Sequence, residues 1–225
     1  MRFERLKLLV QDSGLEKLSS TSVLVLGIGG VGGHCAMALA RSGVGTIIIV
    51  DKDVVDVTNI NRQVIALQST IGLSKVEVLK ERILDVNPDC NVITYHTFFN
   101  HETKDEILSN KIDYICDCID TITFKIEVIR QAISKDIPII SSMGAGNKFH
   151  PELLEITDIS KTTYDPIARV IRNKLRKERI FAKVPVVYSK EIPRKTENDV
   201  IGSTSFVPSS AGLLMASYAV NKILG

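Results

Sequence analysis

The chain has 225 residues, 44% of them hydrophobic and 24% charged, so it can bury a full core and is not composed like a disordered segment. Lys and Arg total 28 against 26 for Asp and Glu, and a net charge of +2 gives no global drive toward nucleic acid or membrane; any such contact must come from a local patch. The four cysteines, Cys35, Cys90, Cys116 and Cys118, include no C-x-x-C pair, which removes the usual zinc and thioredoxin signatures and leaves reduced, mostly buried thiols of a cytoplasmic protein.

The opening MRFERLKLLV carries no apolar core followed by a small-residue cleavage site, so secretion is not expected. From residue 23 to about 142, strand-like and helix-like segments alternate, the pattern of a parallel sheet with helices on both faces. VLVLG (23–27) reads as strand one, with a small-residue helix after it, and TIIIV (46–50) as a strand buried on both faces. Residues 74–86 show helical spacing through Val76, Leu79, Ile83 and Val86 and break at Asn87-Pro88. NVITYHTFF gives a third strand, KIDYICDCI a fourth, a helix near 123–134 follows, and IPIISSM is a fifth strand. The expected fold is therefore α/β and Rossmann-like. One domain spans 1–225, with a nucleotide-binding core at 1–143 and a C-terminal elaboration at 144–225. That elaboration holds a strand (LLEITDI), a basic helix at 166–179, a strand (VPVVYS), a polar loop and an apolar helix around 211–220. The last is too short to span a bilayer comfortably, although peripheral membrane association stays open.

Strand one runs into Gly27-Ile28-Gly29-Gly30-Val31-Gly32, a G-x-G-x-x-G turn opening a helix. Gly27 permits the tight turn, Gly29 lets backbone approach a phosphate, Gly32 permits close helix-to-strand packing, and the helix N-terminus favours an anion. Asp51 ends strand two, where a carboxylate accepts hydrogen bonds from ribose hydroxyls. So far an NAD-dependent dehydrogenase fits equally well. The run Asp51-Lys-Asp53-Val-Val-Asp-Val-Thr-Asn59-Ile-Asn-Arg62-Gln63 separates the two, because a triphosphate needs guanidinium and amide donors here and a hydride carrier does not. Lys75 opens a helix after Gly72, placed to neutralise phosphate charge as pyrophosphate leaves. Asp120, just past strand four, can hold Mg²⁺ on the phosphates or simply cap the next helix.

These motifs resemble those of the ubiquitin-activating-enzyme-like superfamily, which includes the activators of the molybdopterin and thiamine sulfur carriers. The resemblance rests on GxGGVG, D-x-D-x-V-x-x-x-N-x-x-R-Q, Lys75 and Asp120. It implies ATP as cosubstrate, with Asp51 on the ribose, Asn59, Arg62 and Lys75 on the phosphates, and Mg²⁺ at Asp120; Gly30, Asp53 and Gln63 complete the expected nucleotide set. It also implies a homodimer in which an N-terminal arginine, Arg5 or else Arg2, reaches the partner's ATP.

The carrier activators usually have zinc-binding C-x-x-C pairs, and some a catalytic cysteine, in their second half. This chain has no cysteine after Cys118, so neither zinc nor a late thiol nucleophile is expected. Its second half, with KTTYDP, VPVVYSKE and GSTSFVPSSAG, is instead similar to the branch that dehydrates threonylcarbamoyladenosine beside the tRNA anticodon. That resemblance implies adenylation of the threonyl carboxylate followed by ring closure, with tRNA rather than DNA as partner and a sulfur-relay protein as a further candidate.

The segment 169–179 holds six Lys or Arg and one Glu, and Ile167, Val170, Ile171 and Leu175 give it an apolar stripe. Such a face is often merely solvated; the resemblance assigns it to tRNA, through Arg169, Arg172, Lys174, Arg176, Lys177 and Arg179. The four histidines have no ligand-like spacing, and Gly144 and Gly146 can shape a loop or serve as ordinary turns. The competing readings are a carrier-protein adenylyltransferase, an NAD-dependent oxidoreductase and a non-catalytic scaffold.

Overall fold

Strands made of unbroken apolar residues must be covered on both faces, and in the computed structural model, which describes residues 2–197 and 200–225, they are. In chain order the elements are α1 (Glu4–Ser19), β1 (Ser22–Leu26), α2 (Gly32–Arg41), β2 (Thr46–Val50), α3 (Lys75–Val86), β3 (Asn91–Tyr95), α4 (Lys104–Ile107) and β4 (Tyr114–Asp117). Then follow α5 (Ile122–Ser134), β5 (Ile139–Ser142), β6 (Leu154–Asp158), α6 (Pro166–Lys177), β7 (Pro185–Ser189) and α7 (Phe206–Leu224). They build one seven-stranded sheet ordered β3-β2-β1-β4-β5-β7-β6, parallel throughout except β6, which runs antiparallel to β7.

Alternation along β1 and β2 sorts the core. Val23, Val25, Ile47 and Ile49 face α1, α2, α3 and α7, while Leu24, Leu26, Ile48 and Val50 face α4, α5 and α6. The chain steps outward from β1 to β3 and then returns to β4 on the other side of β1. That reversal opens a crevice beyond the carboxyl ends of β1 and β4, where Leu26 lies beside both Val50 and Asp117.

Three expectations need correction. The third strand ends at Tyr95 instead of continuing to 99: the Asn100 side chain accepts the Glu102 and Thr103 N–H groups at 2.8 and 3.2 Å, turning the chain into α4. The basic helix ends at Lys177, because Arg179 turns left-handed at φ 57. Its buried stripe is Ala168, Ile171 and Leu175, whereas Val170, about 100° around the helix from Ile171, is exposed. Residues 4–19, which carry no continuous apolar stripe in sequence, form α1, kinked at Gln11.

Candidate active site

The glycine turn sits at the head of the β1–β4 crevice. Gly27 leaves β1 at φ 83, and a Cβ there would lie 2.9 Å from the Cys118 carbonyl oxygen. At Gly32 a Cβ would come within 1.8 Å of the Gly27 oxygen. Gly29 differs, since a Cβ there would meet nothing within 4 Å. Protein packing therefore demands glycine at 27 and 32, whereas bare backbone at 29 faces open space. Gly30 is walled by Pro208 of α7 and by the Arg62 side chain, at 3.1 and 3.4 Å from the position a Cβ would take.

Asp51 leans over this turn. Its Oδ2 accepts the Ile28 N–H at 2.6 Å and its Oδ1 the Asp53 N–H at 2.8 Å, which fixes the carboxylate between β2 and the glycines. Lys75, only 4% exposed at the first turn of α3, donates from Nζ to Asp53 Oδ2 at 3.0 Å, and Lys52 Nζ lies 3.2 Å from Oδ1. Burial alone would raise the Asp53 pKa; the two lysines outweigh it and hold the carboxyl below the usual aspartate range. Asn59 is buried, its Oδ1 accepting the Asp56 N–H at 3.1 Å in a capping box. Arg62 Nη1 donates to the Thr58 carbonyl and to Asn61 Oδ1 at 2.9 and 3.0 Å, and Gln63 is buried with an Oε1 that has no partner among the described residues.

Asp120 lies exposed beyond β4, and among the described residues its carboxylate is bound only by the Thr121 hydroxyl, at 3.3 Å. The cap of α5 is Thr121, without a side-chain bond, so Asp120 does not cap that helix. Arg5 is elsewhere. Phe3 packs beside Gly43, past the far end of α2, and the ten residues of that helix rise about 15 Å from the glycine turn. Arg2 is paired with Asp89 at 3.9 Å.

On α6, Arg169, Lys174, Arg176 and Lys177 are exposed, with Arg179 just past its end. Arg172 is half-buried, its Nη1 donating to the Thr162 carbonyl at 3.0 Å and hydroxyl at 2.6 Å, so it braces the chain entering the helix. Both ends of α6 are tied down. Asp165 accepts the Ala168 N–H at 2.9 Å and the buried Lys148 Nζ at 3.0 Å, and Glu178 is gripped by Arg130, whose Nε donates at 2.8 Å.

A buried ionic group lies beneath the carboxyl end of β4. Asp117 Oδ2 accepts from Lys125 Nζ at 2.8 Å and from the Ser141 hydroxyl at 2.6 Å, while Oδ1 holds the Ile119 N–H at 3.1 Å, fixing the turn that leads to Asp120. The available signal was Lys125 itself, a lysine on the apolar face formed by Ile122, Ile126 and Ile129. Cys35 and Cys118 pack together under the turn: the contact with Cys116 and burial push the Cys35 thiol up, and the contact with Cys35 and burial push up Cys118. Neither supplies a thiolate at neutral pH.

Among the described residues, no group of three or more His, Cys, Asp or Glu is placed to hold a metal, and no helix is long and apolar enough to cross a membrane. Two clefts lie away from this crevice. One of about 660 Å³ runs between α1 and α7 past Leu9 and Leu213, and one of about 640 Å³ lies by Tyr114 and Pro138 at the opposite end of the sheet. Neither contains a glycine-turn residue, and an open crevice lined by backbone N–H groups and lysine suits a phosphate chain better than either.

Fold and turn together define a doubly wound nucleotide-binding protein whose crevice is furnished for phosphates rather than a nicotinamide. The ThiF family model matches residues 3–225, and the chain belongs to that family. It is 47% identical over 240 residues to the tRNA threonylcarbamoyladenosine dehydratase of Bacillus subtilis, covering 99% of this chain and 94% of the relative. Two crystal structures of the Escherichia coli tRNA N6-threonylcarbamoyladenosine dehydratase superpose closely at 33% identity. The complex with AMP gives a TM-score of 0.94 and covers 94% of that chain; the complex with ATP gives 0.93 and covers 93%, and each spans 99% of this chain.

Proposed function

We propose that this protein uses ATP to dehydrate threonylcarbamoyladenosine in tRNA. The observation that carries the reading is the full-length likeness to a dehydratase, which runs through residues 144–225 as well as the nucleotide crevice. The threonyl carboxylate attacks the α-phosphate of ATP and pyrophosphate leaves. The neighbouring carbamoyl group then attacks the acyl adenylate, closing a ring and expelling AMP. Water is thus removed at the expense of one phosphoanhydride bond, and because the second step is intramolecular, proximity replaces an enzyme nucleophile. The neutral thiols at Cys35 and Cys118 are consistent with that route.

In this reading the N–H groups around Gly29 and Gly30 take phosphate oxygens, Asp51 takes the ribose, and Asn59, Arg62, Gln63 and Lys75 surround the triphosphate. Lys75 exchanges its bond to Asp53 for one to phosphate. Asp120 fits Mg²⁺, being an exposed hard-oxygen donor at the carboxyl end of β4 beside the turn; the ion would complete its shell with ATP phosphates and water and neutralise charge on the leaving pyrophosphate. Residues 1–225 act as one adenylating unit, supported by the single sheet that joins the core at 1–143 to the elaboration at 144–225. The distance of Arg5 from its own glycine turn favours a homodimer in which it serves the partner's site, and exposed Leu8, Leu9 and Leu213 offer apolar contact area for the pairing. The exposed cations of α6 take tRNA phosphates, cytoplasm is the compartment, and a sulfur-relay protein remains a partner to test.

The test is to incubate the protein with ATP, Mg²⁺ and tRNA bearing threonylcarbamoyladenosine and to weigh the digested nucleosides. ATP-dependent loss of one water, abolished by Asp120→Ala, is expected. An unchanged nucleoside, with adenylation of a carrier protein ending in Gly-Gly instead, overturns the reading.

A further inference from the structure

The loop after β5 is laced to the two stretches that follow β7. Asn147 donates its N–H to the Gly202 carbonyl at 2.8 Å, its Oδ1 accepts the Gly202 N–H at 2.6 Å, and its carbonyl accepts the Arg194 N–H at 2.8 Å. These bonds hold Asn147 at φ 59, a left-handed conformation. The buried Glu191 carboxylate accepts the Phe149 N–H at 2.9 and 3.0 Å and the His150 N–H at 2.8 Å. On this fixed frame two aromatic rings remain outside. Phe149 is 46% and Phe206 51% exposed, with ring centroids 5.6 Å apart and planes at 75°, and the Arg194 guanidinium carbon stands 5.1 Å from the Phe149 centroid.

A frame tied this thoroughly has already lost its conformational entropy, so what it presents is preorganised. Its position is equally specific. Phe206 opens α7, and Pro208 of the same turn walls Gly30, while Asn61, next to Arg62, donates to the Ser203 carbonyl at 2.9 Å. The rings therefore adjoin the phosphate crevice. With the rings at 75°, one offers its face to an unpaired base while the other walls the edge of that base, and the positive charge of Arg194 and exposed Lys195 complements the adjoining backbone phosphates.

We infer that Phe149, Phe206 and Arg194 form a stacking platform for an unpaired nucleobase of the RNA substrate, next to the nucleotide whose carboxylate is adenylated. This rests on the tRNA-directed reading above. The platform fixes the substrate loop so that the carboxylate points at the α-phosphate, and α6 contributes only sequence-independent attraction.

The experiment compares wild-type, Phe149→Leu, Phe149→Trp and Arg194→Gln proteins in KM for modified tRNA, in ATP affinity and in sedimentation. Phe149→Leu keeps the volume and removes the ring, so both it and Arg194→Gln should raise the tRNA KM about tenfold or more, while Phe149→Trp stays near wild type. ATP affinity should stay within about twofold, since the platform lies beside the glycine turn and not among the residues assigned to ATP. Unchanged KM in Phe149→Leu and Arg194→Gln, with active wild type, overturns the platform alone. A shift in sedimentation with unchanged KM assigns the patch to contact between copies and overturns it as well. Wild-type protein that binds ATP but neither binds nor alters tRNA overturns the platform and the functional reading together.

Discussion

Replacing Gly29 and Gly32 separately by alanine should split folding from function within one hexapeptide. At Gly29 the added methyl meets no atom of the described residues within 4 Å and the backbone is not left-handed, so the folded state tolerates it. Alanine narrows the unfolded ensemble, which stabilises by about 0.4–1 kcal/mol and raises Tm by roughly 1–4 °C for a chain of this size. On the proposed reading the same methyl occupies the space a phosphate takes, and displacing the nucleotide by about 1 Å should lower kcat/KM on the order of 100-fold. Gly32→Ala has the opposite balance, because a Cβ 1.8 Å from the Gly27 oxygen forces the strand end and helix apart. Overpacking of that kind costs about 1–3 kcal/mol or more, and Tm should fall by roughly 3–10 °C. Thermal denaturation without nucleotide, paired with ATP-binding calorimetry, reads both quantities. A Gly29→Ala protein that binds ATP like wild type, or that loses stability as Gly32→Ala does, refutes the assignment of position 29 to the ligand.

Lys125→Met leaves the Asp117 carboxylate buried without its cation and should destabilise by about 3–5 kcal/mol in urea denaturation, with Asp117→Asn in the same chain recovering part of the loss. The Asp53 carboxyl is held below its ordinary value of 3.8, so its contribution to stability is complete above that pH and disappears as pH falls below it through the folded-state value; an acid titration of Asp53→Asn should show a shallower loss there than wild type. Arg5→Glu and Asp120→Ala proteins should each be inactive, yet a dissociated and reannealed mixture should regain activity, since each hybrid dimer joins one intact Asp120 to one intact Arg5. A mixture as inactive as its parts rules out an arginine shared across the dimer.

The parts of this protein that could be read from sequence are those whose constraint is local. TIIIV admits little but a strand buried on both faces, and the tight turn at Gly27 leaves no freedom to a side chain. The helix α1 escaped because its apolar residues make no continuous stripe: Leu8 and Leu9 are both 83% exposed, while Gly14 and Leu18 are buried. The Asp117–Lys125–Ser141 group was hidden for another reason, since its members lie on β4, α5 and β5 and meet only once the sheet is ordered. Glu191 reads as one more acid in a polar loop until its carboxylate is found beneath two backbone N–H groups. Hydrophobicity alone points to Val170 on the buried face of α6, but small Ala168 takes that position.

The seat of α7 has a consequence for how the protein is made. Gly212 lies so close to the first turn of α2 that a Cβ there would stand 2.2 Å from the Val31 oxygen, and Pro208 closes the side of Gly30. While a ribosome is still translating the middle of the chain, the glycine turn has its strand and its helix but lacks this wall. Contacts between such distant parts of a chain form late. A nascent chain can therefore shape the turn early, yet it acquires a finished nucleotide crevice only after the segment carrying α7 has emerged and docked, so ATP capture waits on the synthesis of α7.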